Sequence, residues 1–212
     1  MAKAPYFARW EWILLHPDDQ ELIERTIAGD LEAFSELVRR YEKKVFTVAF
    51  RFTGNYSDAS DLAQEVFIRV YQALPRFRGK ASFTTWLYRI TANLCRDELR
   101  RQKRHKKTSL DEMAANPTGP PPPVGEGLSP DDVLERREFQ EMVQACLNDL
   151  PEEYRLVLVM REIQGLSYDE IAAALDISTG TVKSRLSRAR QAFRQKISGR
   201  QELFAFRPRL VK

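Results

Sequence analysis

An all-α protein of two small helical domains is what this sequence predicts, and three observations predict it. Apolar residues return every three or four positions from Asp18 to about Arg104 and again from Asp131 to about Ile197, with almost no strand-type alternation. Between these stretches, residues 114–130 (AANPTGPPPPVGEGLSP) hold six of the eleven prolines and three glycines but no aromatic residue, so they cannot build a core. At 212 residues and 43% hydrophobic content, the chain is long enough for two packed cores. The expected layout is an N-terminal extension over 1–19, a first domain over 20–107, a flexible proline-rich linker over 108–130, a second domain over 131–200 and a tail over 201–212.

The first long stripe is Leu31, Phe34, Leu37, Val38, Tyr41, Val45, Val48, Ala49 and Phe52, and Gly54 with Asn55 ends it. Ser57 is then placed to cap a second helix, whose stripe of Leu62, Ala63, Val66, Phe67, Val70, Tyr71 and Leu74 stops at Pro75. The opposite face of that helix presents Asp58, Asp61, Gln64, Glu65 and Arg69. A loop, RFRGKAS, leads into a third helix from about Phe83 to Arg104, which spacing sorts into two stripes. Phe83, Leu87, Ile90 and Leu94 form one; Trp86, Arg89, Asn93, Arg96 and Arg100 form the other. A large aromatic, an amide and three guanidinium groups on one face suit single-stranded nucleic acid, because they stack on bases, bond base edges and neutralise phosphates. A basic helix that merely stays soluble carries similar residues, and Trp86 fits a core position as well, so this face alone leaves both readings open.

In the second domain Pro151 suits the first turn of a helix running through Leu156, Leu158 and Val159 to about Gln164, where Gly165 supplies a positive φ. Ser167-Tyr168-Asp169-Glu170 has the spacing of a capping box, in which hydroxyl and carboxylate each satisfy a free backbone N–H. A short helix with Ile171, Ala172 and Leu175 inward follows, and Asp176-Ile177-Ser178 makes a turn. Ser178 or Thr179 caps a longer helix that turns Val182, Leu186, Ala189, Phe193 and Ile197 inward. Its outward side offers Lys183, Ser184, Ser187, Arg188 and Gln191, donors suited to base edges in a major groove, flanked by Arg185, Arg190 and Arg194 for phosphates. Capping box, tight turn and acid-free basic helix in succession read as a DNA-binding helix-turn-helix.

The charge distribution agrees with two contacts to a polyanion. Lysine plus arginine exceed aspartate plus glutamate only by 34 to 30, but residues 96–107 hold seven cations against two acids and residues 183–196 hold six against none. Two cysteines, Cys95 and Cys146, support neither a disulfide framework nor a thiolate metal site, and a reducing cytoplasm is expected. Arg9 and Glu11 interrupt the apolar start MAKAPYFARWEWILLHP, so neither export nor membrane insertion is expected. The two histidines, His16 and His105, stand in no catalytic arrangement and no glycine-rich phosphate loop occurs, so no enzyme activity and no cofactor are expected.

Four blocks in order, DLEAFSELVRRYEKKVF, SDASDLAQEVFIRVYQAL, FRGKASFTTWLYRITANLCRDELRR and LPEEYRLVLVMREIQGLSYDEIAAALDISTGTVKSRLSRAR, resemble regions 2 and 4 of the extracytoplasmic-function sigma factors, group 4 of the sigma-70 family. The resemblance covers roughly residues 20–107 and 131–197. It implies a subunit that binds core RNA polymerase and directs promoter recognition and opening, for a stress or envelope regulon. Asp61, Gln64 and Glu65 match the family's D-x-x-Q-E pattern, which docks on the clamp helices of the largest polymerase subunit; region 4 docks on the flap of the second-largest. Phe77, Gly79, Lys80, Ala81, Ser82 and Asn93, with Trp86, Arg89 and Arg96 on the same helix, correspond to the reader of the separated −10 strand, into whose loop bases flip. Lys183, Ser184, Ser187 and Arg188 correspond to the duplex −35 reader. Family members are often held by an anti-sigma factor. Ser187 is small where relatives carry a bulkier side chain, which leaves the preferred −35 bases open. The extension with Trp10 and Trp12 either packs on the first helices or forms a docking strip for a regulator. The competing readings are a free-standing helix-turn-helix regulator with a helical sensor domain and a helical adaptor for an acidic protein.

Overall fold

The computed structural model describes residues 18–108 and 130–205, and every regular element among them is helical. The N-terminal extension and most of the proline-rich linker lie outside the described residues. α1 (Asp19–Ile27) starts where the Asp18 carboxylate accepts the Glu21 N–H at 2.8 Å. After Gly29, Asp30 caps α2 (Leu31–Thr53) by accepting the Glu32 and Ala33 N–H groups at 3.0 and 3.1 Å. The Arg25 guanidinium, 2.8 Å away, and those two amides hold the Asp30 carboxyl below its usual range.

Leu37, Val45, Val48, Ala49 and Phe52 of the predicted stripe are buried, so α2 is the central helix of the first unit, with α1, α3 and α4 around it. Leu31 is the exception, 63% exposed. Standing first in its helix, it leans toward the N-terminus and past the end of its neighbours. α2 ends at Gly54, whose φ of 75° sends the chain into extended Asn55. It is therefore Asn55, not Ser57, that caps α3 (Tyr56–Ala73), its side-chain oxygen accepting the Asp58 N–H at 3.2 Å. Ser57 is already in the first turn, where its hydroxyl no longer meets the free amides. Pro75 turns the end of α3 into a short 3₁₀ turn, Leu74–Arg76, and α4 (Phe83–Thr108) follows the loop. Tyr71, expected inward, is 43% exposed and meets Phe34 edge-on at 4.9 Å.

The second unit comprises α5 (Pro130–Asn148), α6 (Glu152–Leu158), α7 (Tyr168–Leu175) and α8 (Thr179–Ala205). The helix expected to reach Gln164 changes pitch at Val159, and Val159–Ile163 is one wide π turn that closes with Gln164 N–H on the Val159 carbonyl at 3.2 Å. Gly165, at φ 72°, then frees the chain for α7.

The buried residues of both units form one continuous cluster. α4 is responsible for much of this, because it is apolar on two sides. Phe83, Leu87 and Leu94 sink into the first unit, while the Tyr88, Thr91 and Cys95 stripe is equally buried and the Tyr88 hydroxyl reaches Gln164 of the second. Two units tied only by a linker would not need that second stripe.

Candidate nucleic-acid interface

The helix-turn-helix is fixed from below. Ser167 N–H donates to the Glu170 carboxylate at 2.8 Å and Glu170 N–H donates back to the Ser167 hydroxyl at 3.2 Å, closing the predicted capping box. Those bonds hold the Glu170 carboxyl below its usual range. Asp176 adopts φ 56° at the end of α7, and the Ser178 hydroxyl accepts the Thr181 N–H at 3.1 Å, so Ser178 begins α8. Val182, Leu186 and Ala189 are fully buried and fix the helix about its axis. Lys183, Ser184, Ser187 and Arg188 consequently face solvent together.

The flanking cations divide. Arg185 pairs with Glu153 at 3.2 Å, and Arg190 pairs with Glu162 at 2.6 Å, so both are tied to their own unit. Lys183 and Arg188 make no ion pair among the described residues. The cations left for an external anion are thus the two that share the outward face with the serines.

A second candidate surface surrounds the loop before α4. Phe77, Phe83 and Trp86 form an aromatic shelf, with ring centroids 5.0 Å apart for Phe77 and Trp86 and 5.9 Å for Phe83 and Trp86. Trp86 is half-buried, which reconciles its two expected roles: one side packs on the shelf and the rest remains open. Gly79, at φ 65°, bends the loop, and Lys80, Ala81 and Ser82 are exposed on it. Beneath lies a cleft of about 1020 Å³, lined by loop residues together with Asp18, Asp19, Glu36, Arg40 and Thr84. Its floor is a polar network in which Arg40 donates to Asp19 at 3.2 Å and the Tyr41 hydroxyl bonds Asp19 and Thr84. Burial, reinforced by Asp19, pushes the Tyr41 hydroxyl up to about 12. None of these floor residues was expected from the sequence, because α1 and the start of α2 meet the loop only in the folded chain. Along α4 beyond the shelf, Arg89 and Asn93 are exposed and Arg96 is half-buried, donating to Asn93 at 3.4 Å.

The third expected site lies on α3. Asp61 and Gln64 are exposed, and half-buried Glu65 accepts from Arg69 at 2.7 Å. Asp58, which the sequence put on the same face, turns toward α4 and accepts from Gln102 at 3.0 Å, while burial raises its carboxyl. Ile68, 51% exposed, extends the outward face instead. Among the described residues no cluster of three or more His, Cys, Asp or Glu is placed to hold a metal ion, and no helix is long and apolar enough to cross a membrane.

Comparison with known proteins matches both units to described families. The profile of Sigma-70 region 2 matches residues 37–105, and that of Sigma-70 region 4 matches residues 140–193. The ECF RNA polymerase sigma-E factor of Escherichia coli (strain K12) is 39% identical over 180 residues, covering 84% of this chain and 94% of that protein. The RNA polymerase sigma-H factor of Pseudomonas aeruginosa is 38% identical over 181 residues, covering 85% and 94%. Among solved structures, CnrH in complex with the cytosolic domain of CnrY superposes with a TM-score of 0.62 at 27% identity, covering 85% of this chain and 97% of that one. The sigma factor RpoE of Bartonella quintana, in complex with the anti-sigma factor NepR, gives a TM-score of 0.63 at 21% identity over 78% and 96%, a likeness of fold alone.

Proposed function

We propose a division of labour within this chain, which belongs to the extracytoplasmic-function sigma factors of RNA polymerase and serves in transcription initiation. The second unit reads the −35 element as duplex through Lys183, Ser184, Ser187 and Arg188, with Arg185 and Arg190 beside them. Their common exposure above a buried Val182–Leu186–Ala189 stripe is the observation that carries this reading. The first unit reads the −10 element as a separated strand: the Phe77–Trp86 shelf stacks bases, and the loop of Gly79, Lys80, Ala81 and Ser82 opens onto a cleft large enough for a flipped nucleotide. Arg89, Asn93 and Arg96 follow the strand along α4.

Asp61, Gln64 and Glu65 dock on the polymerase clamp helices, and the second unit docks on the flap. RNA synthesis is the polymerase's chemistry, and the chain contributes no catalytic group of its own. The place of work is the cytoplasm, where polymerase is, and the genes served are those of a stress or envelope response. CnrH, whose likeness spans both units, was solved with the cytosolic domain of CnrY, and a protein of that anti-sigma kind is the expected regulator here.

Each DNA contact is weak alone and gains from the polymerase holding both units on one promoter, since tethering raises effective concentration. The test is a pull-down with core polymerase together with promoter binding across a salt series. The expected result is co-purification with core, and tight promoter binding, falling steeply with salt, only in that complex. Tight, specific duplex binding by the free chain would favour the free-standing regulator instead.

A further inference from the structure

The second unit carries a socket that fits one kind of partner, the C-terminal end of a helix, and the end of α2 sits in it. The last carbonyls of a helix have no partner within it and carry its negative pole. At the end of α2 the Phe52 carbonyl accepts from Nη1 of Arg155 in α6, and the Arg51 carbonyl accepts from Nε2 of Gln144 in α5 at 3.2 Å. Arg51 returns a bond from Nη1 to the Gln144 side-chain oxygen at 3.2 Å. The Arg155 guanidinium, only 7% exposed, also donates from Nη2 to the Asn148 and Leu150 carbonyls at 2.6 and 3.3 Å and lies 5.5 Å from the Phe52 ring centre. No carboxylate touches it, so backbone carbonyls of both units are what offset a buried cation. Gly54 completes the fit, because a Cβ there would lie 2.5 Å from the Asn148 amide nitrogen.

A second set of contacts closes the same arrangement along α4. The Tyr88 hydroxyl donates to Gln164 in the π turn at 2.6 Å, and Arg89 approaches Asp176, in the turn between α7 and α8, to 4.0 Å. Arg89 belongs to the strand-reading face and Asp176 to the helix-turn-helix, so the two readers lie side by side.

We propose that the free chain is a closed molecule in which the Arg155 socket clasps the end of α2, and that this clasp must open before both readers engage one promoter. Elements named for positions 10 and 35 upstream stand about 25 base pairs apart, roughly 85 Å of axis at 3.4 Å per pair, which a Tyr88–Gln164 hydrogen bond forbids. The requirement for opening rests on the roles proposed above; the clasp itself does not. CnrH, captured with CnrY, superposes across both units, so the closed arrangement is within reach of a relative in a protein complex. Here the chain's own contacts supply it.

The test measures the distance between spin labels on Gln72→Cys and Gln191→Cys in the full chain; both positions are exposed, whereas Cys95 and Cys146 are buried. A single narrow distribution is expected. Arg155→Met combined with Tyr88→Phe should broaden and lengthen it at unchanged helical content. Arg51→Ala with Tyr88→Phe removes only bonds between units and does the same if the Arg155 variant fails to fold. A distribution already broad in the wild type, or one that stays narrow in the variants, overturns the clasp. If the closed form is favoured tenfold, the opened variants bind core polymerase about tenfold more tightly. Unchanged affinity alongside broadened distances overturns the opening requirement. Failure of every form to bind core counts against the sigma-factor roles, while the distances still decide the clasp.

Discussion

Arg190 donates Nε and Nη2 to a single oxygen of Glu162, at 3.0 and 2.6 Å, and so binds the middle of α8 to the π turn that follows α6. An arginine that spacing offers as a phosphate contact is thereby a brace that sets the angle of the reading helix. Both side chains remain substantially exposed, so the pair itself contributes only about 0.2–1 kcal/mol. Arg190→Ala is therefore expected to lower promoter affinity of the polymerase complex less than Arg188→Ala does, measured in parallel titrations at one salt concentration. An equal or larger loss at Arg190 would make it a direct contact.

Arg188 has no competing carboxylate and stands beside Ser187 on the outward face. Its replacement by alanine should weaken recognition of the upstream element by about 1–3 kcal/mol and leave core polymerase binding unchanged. Competition between wild-type and scrambled −35 duplexes reads the first effect and a pull-down the second. A matched loss of both would remove Arg188 from base reading.

Asn93 is exposed along α4, with Arg96 donating to it at 3.4 Å. Asn93→Ala should impair opening at the downstream element, measured by permanganate reactivity of unpaired thymines, and a premelted bubble template should partly restore transcription. Unrestored transcription would argue against a role in melting.

The capping box gives a pH signature. Hydrogen bonds from Ser167 hold Glu170 below its ordinary value of 4.5 in the folded chain, so its contribution is complete above about that pH and is lost as pH falls through the lower folded value. Thermal melts between pH 6 and about 3 should show a decline in which Glu170→Gln is shallower than wild type. Ser167→Ala should cost about 1 kcal/mol at neutral pH. Parallel pH curves for wild type and Glu170→Gln would remove the carboxylate from the account.

What was legible in the sequence is what neighbours along the chain decide. Ser167 and Glu170 lie three residues apart and declare their box; Gly54 and Gly165 mark helix ends because only a positive φ continues the path there. The choice of Asn55 over Ser57 was harder, since both are good caps and the glycine's αL turn decides which comes first into extended backbone. The outward face of α8 could be read because its inward residues repeat at helical spacing without interruption. The cleft floor of Asp19, Arg40, Tyr41 and Thr84 could not be read, since four segments meet there only after folding. Arg155 was missed for a related reason: a cation among acids on a helix reads as solvated, and the carbonyls that receive it lie about a hundred residues away. One available signal was the doubled apolar face of α4, with Tyr88 and Cys95 beside Leu87 and Leu94, wider than a small bundle needs.

Reconstituted transcription with purified core polymerase tests the central claim most directly. Over a library of promoters varied at both elements, adding this chain should produce RNA from defined starts, with enrichment of one sequence at each element and none without the chain. Core polymerase that neither binds the chain nor changes its start sites in its presence would contradict the assignment.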